Sequence, residues 1–368
     1  MQENFYNNLA ATSLRGEALP QEIARTILTS PEVDVLPLLN AAYRVRKQSV
    51  GNSVKIHIIN NTQNGYCPED CHYCAQAKTS KADIEEYPLK PDNEILAEAE
   101  NAFKKGAFRY CMVFAGRGPT RKRVEHLAGL IKEIKSRYPI QICVSAGLID
   151  DEKAKILKEA GLDRLNHNLN TSKKNYPNIC TSHTFEDRLS TLTAARNAGI
   201  QLCSGMIVGL KEKEDDILEV AYTLRDMKAE SIPINFLIPI KGNVLAEDPG
   251  LTPQYCLKIL CLFRFLNPHS ELRVAAGREI HLRQMEVMAL YAANSLFLDG
   301  YLNTRGSDVA RTLQMIKDAG FTIESQQNLD ELIEKATTAT PSAKSNSASK
   351  IIMKELGDLR PYQQSNAL

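Results

Sequence analysis

Nine cysteines stand in a chain of 368 residues, and their spacing divides them. Cys67, Cys71 and Cys74 fall in one short string, Cys67-Pro68-Glu69-Asp70-Cys71-His72-Tyr73-Cys74-Ala75-Gln76. C-x3-C-x2-C lets three thiolates wrap a single metal centre. A closed structural zinc site takes four ligands, usually as two C-x2-C pairs, and a closed ferredoxin-type cluster also takes four cysteines. With no fourth cysteine nearby, a cubane held here keeps one iron open to another ligand, which is what catalysis needs. The bland alternatives are a zinc knuckle completed by His72, or thiols that are merely buried. The flanking Gly65 and Pro68 suit a loop better than a packed core.

Three more cysteines lie in β-rich runs: Cys111, Cys143 and Cys203. Each alternates with larger apolar neighbours, so a two-residue period places the three sulfurs on a different face from the bulky side chains. Any one of them could be a small buried hydrophobe. Three together on separate strands raise a second metal site. Arg273 is an inward cation on a later strand and could equally pair a carboxylate. Cys256 and Cys261 fall in an apolar helical run and read as packing, while Cys180 sits in a loop with no assigned role. Polar residues also stand where a core is expected. Alternation in 164–170 puts Asn166, Asn168 and Asn170 on one face and Leu165, His167 and Leu169 on the other. Buried amides need partners, so these point to a polar ligand or to an amide ladder between strands. His167 receives no chemistry. Asn235 is a further inward amide.

These residues need a frame. Runs at 55–60, 108–115, 140–146, 164–170, 200–208, 231–238, 271–276 and 294–298 read as strands. Helix-period stretches separate them, at 93–105, 121–137, 152–160, 185–198, 213–227, 253–266 and 282–291, with another at 308–319. Alternating strands and helices imply right-handed βαβ units and a parallel sheet. Eight such units over this length predict a (β/α)8 TIM-type barrel across 51–325, with active-site residues at the C-terminal ends of its strands. An open doubly wound sheet is the alternative. It is weakened because no Gly-rich dinucleotide fingerprint follows the first strand. Residues 1–50 read as an N-terminal helical extension, with helix starts at Leu19-Pro20 and Ser30-Pro31. Residues 326–368 read as a flexible C-terminal tail, low in complexity over 336–350, with a possible short docking helix at 351–356.

The cysteine string resembles the radical S-adenosylmethionine superfamily and, over its full length, the biotin synthase family. The likeness runs from about residue 20 to 325. It implies a 4Fe–4S cluster on Cys67, Cys71 and Cys74, whose open iron chelates S-adenosylmethionine (SAM), and a 2Fe–2S cluster on Cys111, Cys143, Cys203 and Arg273. It implies SAM contacts from Asn170, Arg188 and Ile207, within the 205–209 segment. It assigns Asn166, Asn168 and Asn235 to the substrate, dethiobiotin. Some members carry Asp where this chain has Asn170, so the ribose contact here lacks a charge. The segment 113–118 stands where the superfamily usually has an acidic motif. The implied reaction is radical insertion of sulfur taken from the second cluster, with no side chain as acid or base. It requires an external one-electron reductant such as flavodoxin or ferredoxin, and iron–sulfur assembly machinery to rebuild the consumed cluster. A homodimer is also implied. A lipoyl synthase is disfavoured because no second cysteine cluster precedes Cys67.

Composition agrees. Lys plus Arg is 45 and Asp plus Glu is 44, a formal charge of +1, which argues against a dedicated nucleic-acid or anionic-membrane surface. No apolar run reaches the roughly 18 residues of a membrane span, and the first ten residues lack a secretory pattern. A cytoplasmic location is expected, and an odd cysteine count there does not suggest a disulfide framework.

Overall fold

The computed structural model describes residues 3–304 and 306–338. In chain order the elements are α1 Glu3–Leu14, α2 Gln21–Thr29, α3 Val35–Val50, β1 Ser53–Gln63, α4 Asp92–Lys104, β2 Arg109–Phe114, α5 Arg121–Arg137, β3 Gln141–Ser145, α6 Asp151–Glu159 and β4 Arg164–Asn166. There follow α7 Phe185–Asn197, β5 Gln201–Cys203, β6 Met206–Val208, α8 Glu214–Asp226, β7 Ser231–Phe236, α9 Pro253–Leu266, β8 Glu271–Val274, α10 Arg278–Leu282, β9 Ser295–Phe297, α11 Val309–Asp318, β10 Thr322–Ile323 and α12 Leu329–Thr338.

The strands form a closed parallel ring. β1 pairs with β2 on one side and with β9 on the other, and β5 and β6 share one place in the ring between β4 and β7. This is an eight-membered (β/α)8 barrel, with β10 added outside it along the start of β1. Helices surround the barrel because each carries one apolar stripe. In α5 the buried residues are Val124, Leu127, Ala128, Leu130, Ile131 and Ile134, and the Thr120 hydroxyl caps the helix by accepting from the Arg123 N–H. α7 starts with a full capping box between Thr184 and Asp187.

Several expectations need correction. Strand four is regular only to Asn166, and beyond it the chain meets the next strand again through an isolated bridge between Asn170 and Met206. The fifth run breaks at Ser204-Gly205, where a Cβ on Gly205 would lie 1.8 Å from the Pro233 carbonyl oxygen. Only glycine permits this approach, and its backbone re-aims β6. The expected helix at 282–291 is α10 followed by a 3-10 turn over Arg283–Tyr291, with Arg283 at φ 52 interrupting the α geometry. Ser30 ends α2, and the next helix begins at Val35. The first residues of the expected low-complexity tail, Ala336 to Thr338, complete α12, whose Leu332 is buried. The rest of that tail, including 351–356, lies outside the described residues.

The N-terminal helices are bound into the same core. Ser13 donates to the Phe265 carbonyl at 2.7 Å. Buried Arg46 donates to the carbonyls of Ala293, Gly51 and Ser53, and its guanidinium lies 4.4 Å from the Phe321 ring centroid. That arginine ties α3 to the starts of β1 and β9. Among the described residues no helix is long and apolar enough to cross a membrane.

Candidate active site

At the C-terminal ends of the strands the barrel opens into a cavity of about 390 Å³. Every residue singled out above as a site candidate lines it: Cys67, Cys71, Cys74, Cys111, Cys143, Cys203, Arg273, Asn166, Asn168, Asn170, Arg188, Ile207 and Asn235.

The upper wall is the loop after β1. Gly65 and Tyr66 take positive φ (79 and 52), which turns the chain over the barrel mouth. The Gly65 N–H donates to Gln76 Oε1 at 3.2 Å, closing the base of the cysteine loop. Within it the Cys74 N–H donates to the Cys71 carbonyl at 3.0 Å, and Lys78 N–H to the Glu69 carbonyl at 2.9 Å. Asp70 clamps the loop to the segment before α7. Its carboxylate accepts from the Thr181 and Ser182 N–H groups at 2.9 and 3.0 Å, and from the Thr181 hydroxyl. Burial alone would raise the Asp70 pKa, but these donors hold it well below the carboxylate range. Burial raises the Cys67 thiol and pushes Cys74 up to about 11, so both are protonated unless a metal displaces the proton. Backbone N–H groups of Glu69 and Gly116 point at Cys67, and those of Gln76 and Ala77 at Cys74. Three sulfurs on a clamped loop, two of them met by N–H donors, suit a cluster with one iron left open.

Deeper, Cys111, Cys143 and Cys203 meet inside the barrel, in contact with Ile59 and Phe297. Cys111 stands directly opposite Cys143 across the β2–β3 ladder, and Arg273 Nη1 is 3.7 Å from Cys203 Sγ. A second layer lies beneath them, which the sequence reading missed. Glu271 Oε2 meets Arg109 Nη1 at 3.0 Å and Arg164 Nη1 at 2.8 Å. Its Oε1 meets Arg273 Nη2 at 2.6 Å and His57 Nε2 at 2.8 Å. Arg273 therefore does pair a carboxylate while facing a thiol. Burial, together with Arg273, holds His57 well below its usual pKa, so it is neutral. Burial opposes charge on Glu271, but Arg109, His57 and Arg164 keep its pKa well down. Three buried guanidinium groups against one carboxylate leave surplus positive charge under the three sulfurs. Buried charge is costly unless paired, and thiolates bridged to iron and sulfide would supply the missing negative charge. A usable sequence signal existed: Arg109, Arg164 and Glu271 each precede a cavity-lining residue by two, so they share its strand face one layer down.

The polar wall lies between the two sets of sulfurs. Asn166 Nδ2 lies 3.3 Å from Asn168 Oδ1 and 3.3 Å from Cys203 Sγ. Asn168 Oδ1 accepts from the Gly205 N–H at 3.1 Å, and Asn235 bridges the Met206 carbonyl and the Ala276 N–H. The amide ladder between strands is therefore real, and it presents these amides to the cavity in fixed orientations. Asn170 adopts φ 70, a left-handed conformation that asparagine tolerates, and donates to the Tyr73 hydroxyl at 2.6 Å. Arg188 is buried. It donates to the Asn168 carbonyl at 2.8 Å and to His183 Nε2 at 2.8 Å, and also meets the Tyr176 hydroxyl. His167 also lines the cavity, because strand alternation stops before it, and its Nε2 is buried without a protein partner. Tyr301 to Thr304 form part of the rim.

Sequence models of two families match: the radical SAM superfamily over residues 64–224, and the Biotin and Thiamin Synthesis associated domain over 233–322. A biotin synthase of Acaryochloris marina is 56% identical over 313 residues, which is 85% of this chain and 90% of that protein. One from Magnetococcus marinus is 54% identical over 316 residues, 86% and 98% of the two chains. The chain belongs to the biotin synthase family. Biotin synthases are radical SAM enzymes that insert sulfur, and membership implies a 4Fe–4S cluster and SAM. Two more distant structures share the fold alone. A methylornithine synthase superposes with a TM-score of 0.75 at 19% identity, covering 88% of this chain and 99% of that one. An FeFe-hydrogenase maturase from Carboxydothermus hydrogenoformans gives 0.73 at 19%, covering 90% and 82%.

Proposed function

We propose that this member of the biotin synthase family converts dethiobiotin to biotin, using SAM and two iron–sulfur clusters held at different depths of one cavity. The observation that carries this reading is the stacking of two cysteine trios with amides and a guanidinium between them. Cys67, Cys71 and Cys74 would hold the 4Fe–4S cluster, and Cys111, Cys143, Cys203 and Arg273 the 2Fe–2S cluster. When bound, these groups supply the electron that cleaves SAM and the sulfur that is inserted, chemistry that no side chain provides.

The chain's own residues bind, orient and shield. Arg188 offers a planar fork to the SAM carboxylate, and its present partners, the Asn168 carbonyl and His183, keep it aimed into the cavity. Asn170 meets the ribose through an amide, and Ile207 packs on the adenine. Asn166, Asn168 and Asn235 hold the ureido end of dethiobiotin, leaving its methyl and methylene carbons toward the deep sulfurs. The closed barrel wall keeps water and thiols from the reacting carbons. Because sulfur is consumed, iron–sulfur assembly machinery must restore the deep cluster, and flavodoxin or ferredoxin would deliver electrons. Free, metal-ready thiols suit a cytoplasmic setting. A homodimer built on the barrel of 51–325 and the 1–50 helices completes the proposal, with 326–368 as an appended tail.

The test is anaerobic. Reconstituted protein is given reductant, SAM and dethiobiotin, and 5′-deoxyadenosine and biotin are measured. Both products are expected. Deoxyadenosine without biotin would reassign the substrate, and neither product would reject the cluster assignments.

A further inference from the structure

Arg273 is held from several sides. Its Nε donates to Ser295 Oγ at 3.1 Å, and its Nη2 donates to Glu271 Oε1 at 2.6 Å and to Ser231 Oγ at 2.9 Å. Nη1 is left toward Cys203 Sγ, 3.7 Å away. Glu271 is therefore the charged anchor that turns the guanidinium toward the deep sulfurs. The same carboxylate takes Arg164 Nη1 on Oε2 at 2.8 Å. Strand register sets Arg164 beside those sulfurs. It is the direct partner of Cys143 across the β3–β4 ladder, as Ser231 is of Cys203 across β5 and β7. Glu271, Arg164 and Arg273 are all buried, so bulk water and salt screen them little.

Charge at this depth bears on the sulfur chemistry. When a carbon radical joins a sulfide, one C–S bond forms and one electron is left over. That electron reduces one ferric iron to ferrous, and no proton moves in the step. Positive charge nearby favours the uptake and negative charge opposes it. Reduction potentials of iron–sulfur clusters follow net charge, hydrogen bonds to the sulfurs and burial.

We propose that Glu271 and Arg164 act as opposed charges that set the reduction potential of the deep cluster, with Glu271 also the positioning residue for Arg273. Their role rests on the 2Fe–2S cluster of the function proposed above. A buried unit charge within ~10 Å changes a one-electron equilibrium by about tenfold or more at an effective dielectric constant near ~20. Removing the carboxylate therefore raises the potential, and removing the Arg164 guanidinium lowers it.

The experiment uses the full-length chain, loaded with iron and sulfide without oxygen. Cys71→Ala is included throughout, so that only the deep cluster is read. A mediated reductive titration at fixed pH is followed by visible absorption and by the paramagnetic resonance of the reduced cluster. Glu271→Gln should raise the midpoint by at least a tenfold change in the reduced-to-oxidised ratio, ~59 mV for one electron. Arg164→Gln should lower it by a similar amount, and the double variant should return close to the parent. Glu271→Asp keeps the charge and should move the midpoint less than half as far as Glu271→Gln. A folding defect does not produce shifts of opposite sign that cancel. Should Glu271→Gln fail to fold, Arg164→Gln and the double variant decide: the first must lie below the parent and the second back near it. Shifts of the same sign, or less than a twofold change in ratio for the single variants, would overturn this role and leave the proposed function standing. A Cys71→Ala chain with no cluster absorption would instead reject the two-cluster reading, and this role with it.

Discussion

Glu271 shows how much one side chain can carry. It receives Arg109, Arg164, Arg273 and His57 at once while only 3% exposed. Removing its charge leaves three guanidinium groups without their carboxylate. Glu271→Gln should therefore destabilise the protein by about 3–5 kcal/mol, read as a lowered urea midpoint. A loss under about 1 kcal/mol would mean that solvent or an anion already compensates the arginines. The proposed function gives the two cysteine trios separate roles. Cys71→Ala should abolish 5′-deoxyadenosine formation. Cys143→Ala should retain part of it while forming no biotin, and equal loss of both products would argue against separate sites. The cysteine string and the inward cysteines and asparagines were legible because their types are unusual at such spacing. Glu271, Arg109, Arg164 and His57 were not. A charged residue near the start of a strand normally reads as solvent-facing, and only barrel closure turns these four toward one another.

Among elements, α5 and α9 begin and end as the sequence predicts, because a 3.6-residue apolar period coincides with threonine caps at Thr120 and Thr252. The strand ends were less legible. The Asn166-His167-Asn168-Leu169-Asn170 stretch keeps a two-residue alternation beyond the regular ladder, where only single bonds from His167 and an isolated Asn170–Met206 bridge remain, so its pattern overstates the strand and wrongly turns His167 away from the cavity. The break between β5 and β6 comes from a contact with β7 that no local pattern encodes. Gly205→Ala tests it. The added methyl would meet the Pro233 carbonyl, and overpacking of this kind costs about 1–3 kcal/mol. Because Gly205 also donates to Asn168, the KM for the proposed substrate, dethiobiotin, should rise with that shift. Unchanged stability together with unchanged KM would show that β6 can move aside freely.

For the whole molecule, buried histidines set the response to pH. Burial holds His57 and His167 well below their usual pKa, with Arg273 and Arg188 respectively as the next causes. Once unfolded they titrate near about 6.5. Below that pH the unfolded chain binds protons that the folded chain refuses, so stability falls as pH drops through this range. Asp70, Glu69 and Glu271 have lowered pKa values in the fold. The stability they contribute is present above about 4 and is lost on further acidification. From these groups the urea midpoint of cluster-free protein should decline below about pH 6.5 and fall again below about 4.5. A midpoint unchanged between pH 7 and 5.5 would show that both histidines already bind protons in the fold.

Hydrophobic period and ligand spacing are local properties of the chain, so the alternation that makes a barrel, the open three-cysteine loop and the family could be read from residue order. Tertiary structure alone decided which residues meet across the ring. It stacked an arginine–glutamate layer beneath the deep cysteines, brought His167 into the cavity, and set Cys180 and His183 against Cys71 from more than a hundred residues away. Those outcomes depend on strand register and closure, which fix distances between residues that no local spacing relates.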